Sequence, residues 1–208
     1  MARKRSNKQV IRFSLGILLL IVSLIDVEYA SLLRGMSLAA QDYNRGDAES
    51  ALKRYDDMER RLRSFGAMRL IPSEDRRILF LDAARSLYAL GRYDDALEHI
   101  ERESQFSGVA DSRFSLLRGE IAFRKATQNA TAPGDDPQIL EDALSASQDD
   151  LRQSLREDPN SWDAKYDFEY VNYIKSELEK DQKEGMKLLP QIPNNENHTR
   201  ALSPKQKP

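Results

Sequence analysis

The chain has 208 residues, 32% charged and 40% hydrophobic, with nine glycines and no regular alternation of apolar and polar positions, a balance that favours helices with solvated outer faces over a β-sandwich. Cysteine is absent, which excludes disulfides, thiolate metal sites and a cysteine nucleophile. The formal net charge of −2 hides an asymmetry: Arg3, Lys4, Arg5, Lys8 and Arg12 form a head without acids, leaving 27 basic against 34 acidic residues, and such an acidic body is a poor match for nucleic acid.

Residues 1–9 read as a basic cytoplasmic segment and 10–33 as a signal anchor that crosses a membrane once. Phe13 to Ile25 carry no charge, Val10, Ile11 and Val27 lengthen the apolar cylinder, and Lys8 and Arg12 can snorkel. Signal cleavage needs small residues one and three before the cut. An end at Ala30 would put Glu28 at the third place, and an end at Ala40 would put Leu38 there. An uncleaved anchor is therefore expected, with a cleaved signal and a buried soluble helix as the competing readings. The positive end stays in the cytoplasm, so the body is expected in the periplasm of a bacterium, tethered to its inner membrane.

Residues 35–184 read as helix after helix. One pair is broken at Asn44-Arg45-Gly46, where Gly46 can end a helix and Asp47 can cap the next. A second pair starts at Ser73, the expected cap after Pro72, and breaks at Gly91. Relative to Gly91, Ala84, Tyr93, Ala96, Leu97 and Ile100 occupy the offsets that Ala39, Ala48, Ala51, Leu52 and Tyr55 occupy relative to Gly46. Small residues at the Ala84 and Ala96 positions let the helices of a hairpin approach closely. A third pair runs through "RFSLLRGEIAFRKATQNA", with Gly119, Ala122 and Phe123 near its packing face, and then Ile139 to Leu155; Asp136 can cap and Pro137 open the second helix.

In "DPNSWDAKYDFEYVNYI" Asp158 or Asn160 can cap a last helix. Trp162, Tyr166, Tyr170 and Tyr173 recur on it at helical spacing, beside a second stripe of Ala164, Phe168 and Val171. The aromatic stripe is expected to pack as the inner face of a capping helix rather than to form a binding platform. After Lys187 four prolines and many polar residues predict a flexible tail over 185–208, with Leu188, Leu189 and Ile192 as anchors if it docks.

The stretch "LDAARSLYALGRYDDALEHI" resembles the tetratricopeptide repeat family. Two departures stand out: Gly46 and Gly91 are 45 residues apart where that family repeats every 34, and Leu87 occupies a position where an aromatic is commonest. The resemblance implies an all-α chain: an N-terminal transmembrane helix, then a short tetratricopeptide-like stack of helical hairpins with a C-terminal capping helix. "DPNSWDAKYDFEYV" is also similar to the end of tetratricopeptide accessory proteins that accompany MoxR-type ATPases and von Willebrand factor A proteins, with Asp163, Ala164, Lys165, Tyr166 and Glu169 in common and Asp167 and Phe168 in place of Asn and Leu. With its anchor and basic head the layout is similar to MxaK-type proteins of methanol-oxidation clusters. That likeness implies a scaffold assisting the maturation of a periplasmic dehydrogenase, whose cofactors belong to the client and not to this chain.

In the tetratricopeptide register the protein-binding groove falls on Tyr43, Asn44, Arg85, Tyr88, Ala89, Glu120, Phe123 and Arg124. Arg85 and Arg124 would meet carboxylates of a bound segment and Tyr88 and Phe123 would supply apolar area; the alternative is that the arginines pair with local acids. Catalysis finds no motif. There is no HExxH, Walker loop or GxSxG, His99 reads as a surface or groove-edge residue, and Asp56-Asp57, Asp94-Asp95 and Asp149-Asp150 diverge around their helices as solvated faces. A self-associating structural envelope protein is the main competing class, and a carboxylate-dependent hydrolase the lesser one.

Overall fold

The computed structural model describes residues 3–64, 66–107, 110–129 and 137–184. Among them the chain is helical throughout, with no strand: α1 (Arg3–Asn44), α2 (Ala48–Ser64), a 3-10 turn (Ala67–Arg69), α3 (Ser73–Ala89), α4 (Tyr93–Ser107), α5 (Ser112–Asn129), α6 (Pro137–Glu157) and α7 (Trp162–Glu184). The expected docking anchors Leu188, Leu189 and Ile192, the tail, and the Asp136 cap lie outside the described residues. The chain forms two compact units, Met1–Asp82 and Ala83–Pro208.

Unit 1 begins with one unbroken helix. α1 is 42 residues long, about 63 Å at 1.5 Å per residue, and is long and apolar enough in its first half to cross a membrane. The apolar side chains there are uncovered, Phe13 at 76% and Leu19 at 61% exposed. Further along, Leu32, Met36 and Ala39 turn a buried stripe to α2, which answers with Ala51, Leu52 and Tyr55. The candidate span and the first helix of the first hairpin are thus one element. The Tyr29 hydroxyl donates to Asp75 Oδ2 at 2.6 Å and the Tyr55 hydroxyl to Asp82 Oδ2 at 3.3 Å, tying the first half of α3 into this unit. The link before α3 folds as the 3-10 turn, which buries Met68.

The two glycine turns use one hydrogen-bond pattern. Gly46 and Gly91 have φ of 88° and 73°, a left-handed conformation that a side chain disfavours. Asp47 N donates to Asp42 O at 3.0 Å and Gly46 N to Tyr43 O at 2.9 Å; Arg92 N donates to Leu87 O at 2.9 Å and Gly91 N to Tyr88 O at 3.0 Å. Both are glycine caps that satisfy the last carbonyls of the preceding helix. As expected, Asp47 caps α2, its Oδ1 accepting from Ser50 N at 3.0 Å, and Ala39, Ala51, Ala84 and Ala96 are fully buried. Two expected caps move. Pro72, not Ser73, precedes α3 and accepts from Arg76 N through its carbonyl. Ser161, not Asp158 or Asn160, caps α7, its Oγ accepting from Ala164 N at 3.3 Å. Asp158 instead closes the turn before it, its Oδ1 accepting from Asn160 N.

Unit 2 is built around the close crossing of α5 and α6. At Gly119 a Cβ would stand 2.8 Å from Leu151 Cγ, so only glycine permits this approach, and the buried Ser147 hydroxyl donates to Gly119 O at 2.8 Å. Ser154 Oγ donates to Ser112 O at 2.8 Å along the same seam. α7 closes the core of Ala126, Leu144, Leu151, Val171 and Leu178.

Candidate functional site

The best-defined cluster of polar and aromatic groups lies within unit 2, where the C-terminal end of α3, the middle of α5 and the first half of α7 meet. Arg85 and Tyr88 come from α3, Glu120, Phe123 and Arg124 from α5, and Asp163, Tyr166, Asp167 and Tyr170 from α7. Residues four apart on a helix share a face, which places Glu120 beside Arg124, Asp163 beside Asp167 and Tyr166 beside Tyr170. Arg124 Nε donates to the Tyr88 hydroxyl at 3.2 Å, joining α5 to α3. The Phe123 ring meets Tyr170 edge-on with centroids 5.5 Å apart, joining α5 to α7, and Tyr166 stacks parallel to Tyr170 at 6.5 Å. Tyr88 in turn lies 5.7 Å from Tyr93 of α4.

The electrostatics of this face are set by burial of acids. Burial pushes the Glu120 carboxyl up to about 8; the charges of Asp167 and Asp163 push the same way, and Arg85 and Arg124 oppose them. Asp167 rises to about 6, again mainly by burial, with Asp163 adding to it and Arg124 opposing. Its Oδ2 is buried and has no hydrogen-bond partner among the described residues. Tyr88 is pushed up to about 12 by burial and by Glu120, tempered by the Arg124 hydrogen bond. At neutral pH Glu120 is thus mostly protonated and Asp167 mostly charged. Both hold latent negative charge in a poorly hydrated place.

Of the groove residues expected from sequence, Arg85, Tyr88, Glu120, Phe123 and Arg124 come together here. Ala89 is exposed as the last residue of α3, and Tyr43 and Asn44 belong to unit 1, half-buried and exposed at the end of α1. The arginines do meet local acids: both act on Glu120, and Arg124 is also engaged by Tyr88.

The α7 contribution is a correction. Trp162, Tyr166, Tyr170 and Tyr173 were expected to be the packing stripe, yet Trp162 is 80% and Tyr166 62% exposed, while Ala164, Val171 and Leu178 are buried. The neighbouring stripe of small and aliphatic residues carries the packing, so the aromatics face outward. The signal was Asp163 and Asp167, spaced to flank Tyr166 and Tyr170 on a face that no core would accept. His99 is a second correction, being buried on α4 rather than at a surface edge. Two of the three adjacent acid pairs diverge, each member finding its own cation: Asp149 pairs with Arg152 and Asp150 with Arg118, and Asp94 with Lys125 and Asp95 with Arg92.

Comparison with protein-family models, curated proteins and solved structures finds no match to this chain.

Proposed function

We propose that the chain is a non-catalytic, membrane-anchored scaffold of tetratricopeptide-like hairpins that binds a protein segment on the α3, α5 and α7 face. The observation that carries this reading is the meeting of Arg85, Tyr88, Glu120, Phe123 and Arg124 with outward-facing aromatics of α7 on one face. Tyrosine and phenylalanine offer contact area with few rotamers to lose, which suits them to recognition. The repeated glycine caps, the small residues at the helix crossings and the resemblance of "LDAARSLYALGRYDDALEHI" support the repeat class. The long apolar α1 and the basic head support a single crossing of a bacterial inner membrane with residues 35–184 in the periplasm. An alkaline phosphatase fusion to the C-terminus is expected to be active in intact cells, and an inactive one rejects that orientation.

By the likeness of "DPNSWDAKYDFEYV" to MoxR-associated accessory proteins, the client is an envelope enzyme such as methanol dehydrogenase or a von Willebrand factor A protein that serves it. The test is in-cell crosslinking of tagged full-length protein, followed by mass spectrometry of the membrane fraction. Capture of one of these partners, lost in the double variant Tyr88→Ala with Phe123→Ala, is expected. Crosslinks to copies of itself alone would replace the scaffold with a self-associating structural protein.

A further inference from the structure

We propose that the α5 and α7 face accepts a cationic side chain of the bound segment, an arginine above all, held between the carboxylates of Glu120 and Asp167 and the rings of Phe123 and Tyr170. The inference deepens the scaffold reading and rests on it. Four observations converge. The buried Oδ2 of Asp167 has no donor among the described residues, and an unsatisfied buried acceptor is destabilising until a donor reaches it. Glu120 stands close enough to Asp167 for their charges to act on one another, so a guest's N–H groups would have a second carboxylate to reach. The rings beside these acids are accessible, Tyr166 at 62% and Tyr170 at 38% exposed, and an aromatic face attracts a cation placed over it. Finally, α7 already seats cations on its rings: Lys165 lies over Trp162 at 5.4 Å and Arg152 over Phe168 at 5.7 Å.

An anionic guest fits poorly. It would approach Asp163 and Asp167, while Arg124 Nε is already donated to Tyr88. A guanidinium presents planar, forked donors to carboxylates and stacks on aromatic rings, and it stays charged at any pH at which the protein is folded. The charged groups that face Glu120 are Arg85 from α3, Arg124 from its own helix and Asp163 and Asp167 from α7. A cation arriving among them drives Glu120 to ionise, so binding releases a proton and tightens as pH rises from 6 to 8.5.

The experiment uses full-length protein in phosphatidylcholine nanodiscs and two fluorescein-labelled peptides, one alternating leucine with arginine and one alternating leucine with glutamate, read by fluorescence anisotropy at fixed ionic strength. The arginine peptide is expected to bind, to bind more tightly at pH 8.5 than at pH 6, and to lose affinity about tenfold in either Asp167→Asn or Tyr170→Ala. Glu120→Gln is expected to remove most of the pH dependence. Melting curves of each variant separate lost binding from lost fold, and Tyr170→Phe, which keeps the ring, is expected to bind like the original. Preference for the glutamate peptide, or arginine-peptide affinity indifferent to all three positions, overturns the cation site. Self-association abolished by Tyr170→Ala overturns it in favour of a second copy. The scaffold reading falls separately: a chain that binds the arginine peptide yet captures no protein in cells keeps the subsite and loses the client, whereas capture indifferent to Asp167→Asn keeps the client and loses the subsite.

Discussion

At the scale of single residues, the crossing of α5 over α6 depends on one missing side chain. Gly119→Ala would drive a Cβ to 2.8 Å from Leu151 Cγ and 3.3 Å from Leu151 N, and because backbone as well as side chain stands in the way, the helices must separate. The expected loss is about 1–3 kcal/mol, read as a lower denaturation midpoint. Gly35→Ala is the contrast. Its nearest neighbour would be the sulfur of Met58, a flexible side chain that can swing aside, so the midpoint should move little. The buried acids give unit 2 an inverted pH dependence. Glu120 and Asp167 titrate near 8 and near 6 in the folded chain, above ordinary carboxylates, so the fold holds their protons more tightly than the unfolded chain does. Their contribution to stability is complete below the ordinary carboxylate range and is lost as pH rises through about 6 and then about 8. Thermal melting is expected to fall between pH 5 and pH 9, and Glu120→Gln, which fixes the neutral form, is expected to flatten that slope and raise the melting temperature at pH 9.

At the scale of elements, α7 shows what periodicity can and cannot resolve. Its two stripes, Trp162-Tyr166-Tyr170-Tyr173 and Ala164-Phe168-Val171, recur with the same helical period and lie side by side, so spacing alone does not say which one turns inward. Size suggested the aromatics. Close packing against α6 instead selected Ala164 and Val171, because a small residue at a crossing admits a neighbouring helix where a tyrosine would hold it away. Val171→Ala should therefore cost roughly 1–3 kcal/mol, while Trp162→Ala should stay within about 0.5 kcal/mol; chemical denaturation of both variants reads the difference. The helix breaks were legible because glycine in a left-handed cap is a local requirement, as at Gly46 and Gly91. Spacing puts Arg85 and Tyr88 near one another on α3, and Glu120, Phe123 and Arg124 on α5; that the two faces meet is visible only in the Arg124–Tyr88 hydrogen bond and the charges around Glu120. Asp163 and Asp167 were not seen as part of that face, since their role depends on which side of α7 is covered. The Ser147 and Ser154 hydroxyls were equally hidden, because a serine that donates to a carbonyl across a helix crossing looks in sequence like any solvated serine.

At the scale of the whole molecule, the continuity of α1 gives unit 1 its most consequential property. A helix has no hinge of its own unless a proline, a glycine pair or a bulge interrupts it, and α1 runs from Arg3 to Asn44 as one element. Its uncovered apolar half and its packed half are therefore fixed in register: the row that buries Leu32, Met36 and Ala39 continues at helical spacing to Tyr29 and Ile25. A polypeptide that enters a bilayer on such a helix cannot let the α1–α2 hairpin tumble freely on a linker. The two halves nevertheless differ in what holds them. The first half is uncovered among the described residues and would depend on an apolar surrounding such as a bilayer, whereas the second packs on α2 and is tied by the Tyr29–Asp75 hydrogen bond. Removing residues 1–27 should accordingly separate the two dependences. The shortened chain, which keeps Tyr29, Leu32, Met36 and Ala39, is expected to leave the membrane fraction for the soluble one, to keep its helical circular dichroism per residue, and to melt within about 3 °C of the full chain in detergent. Loss of the hairpin on truncation, seen as a fall in helicity larger than the deleted residues account for, would mean that the apolar half of α1 is packed by protein and does not serve as an anchor.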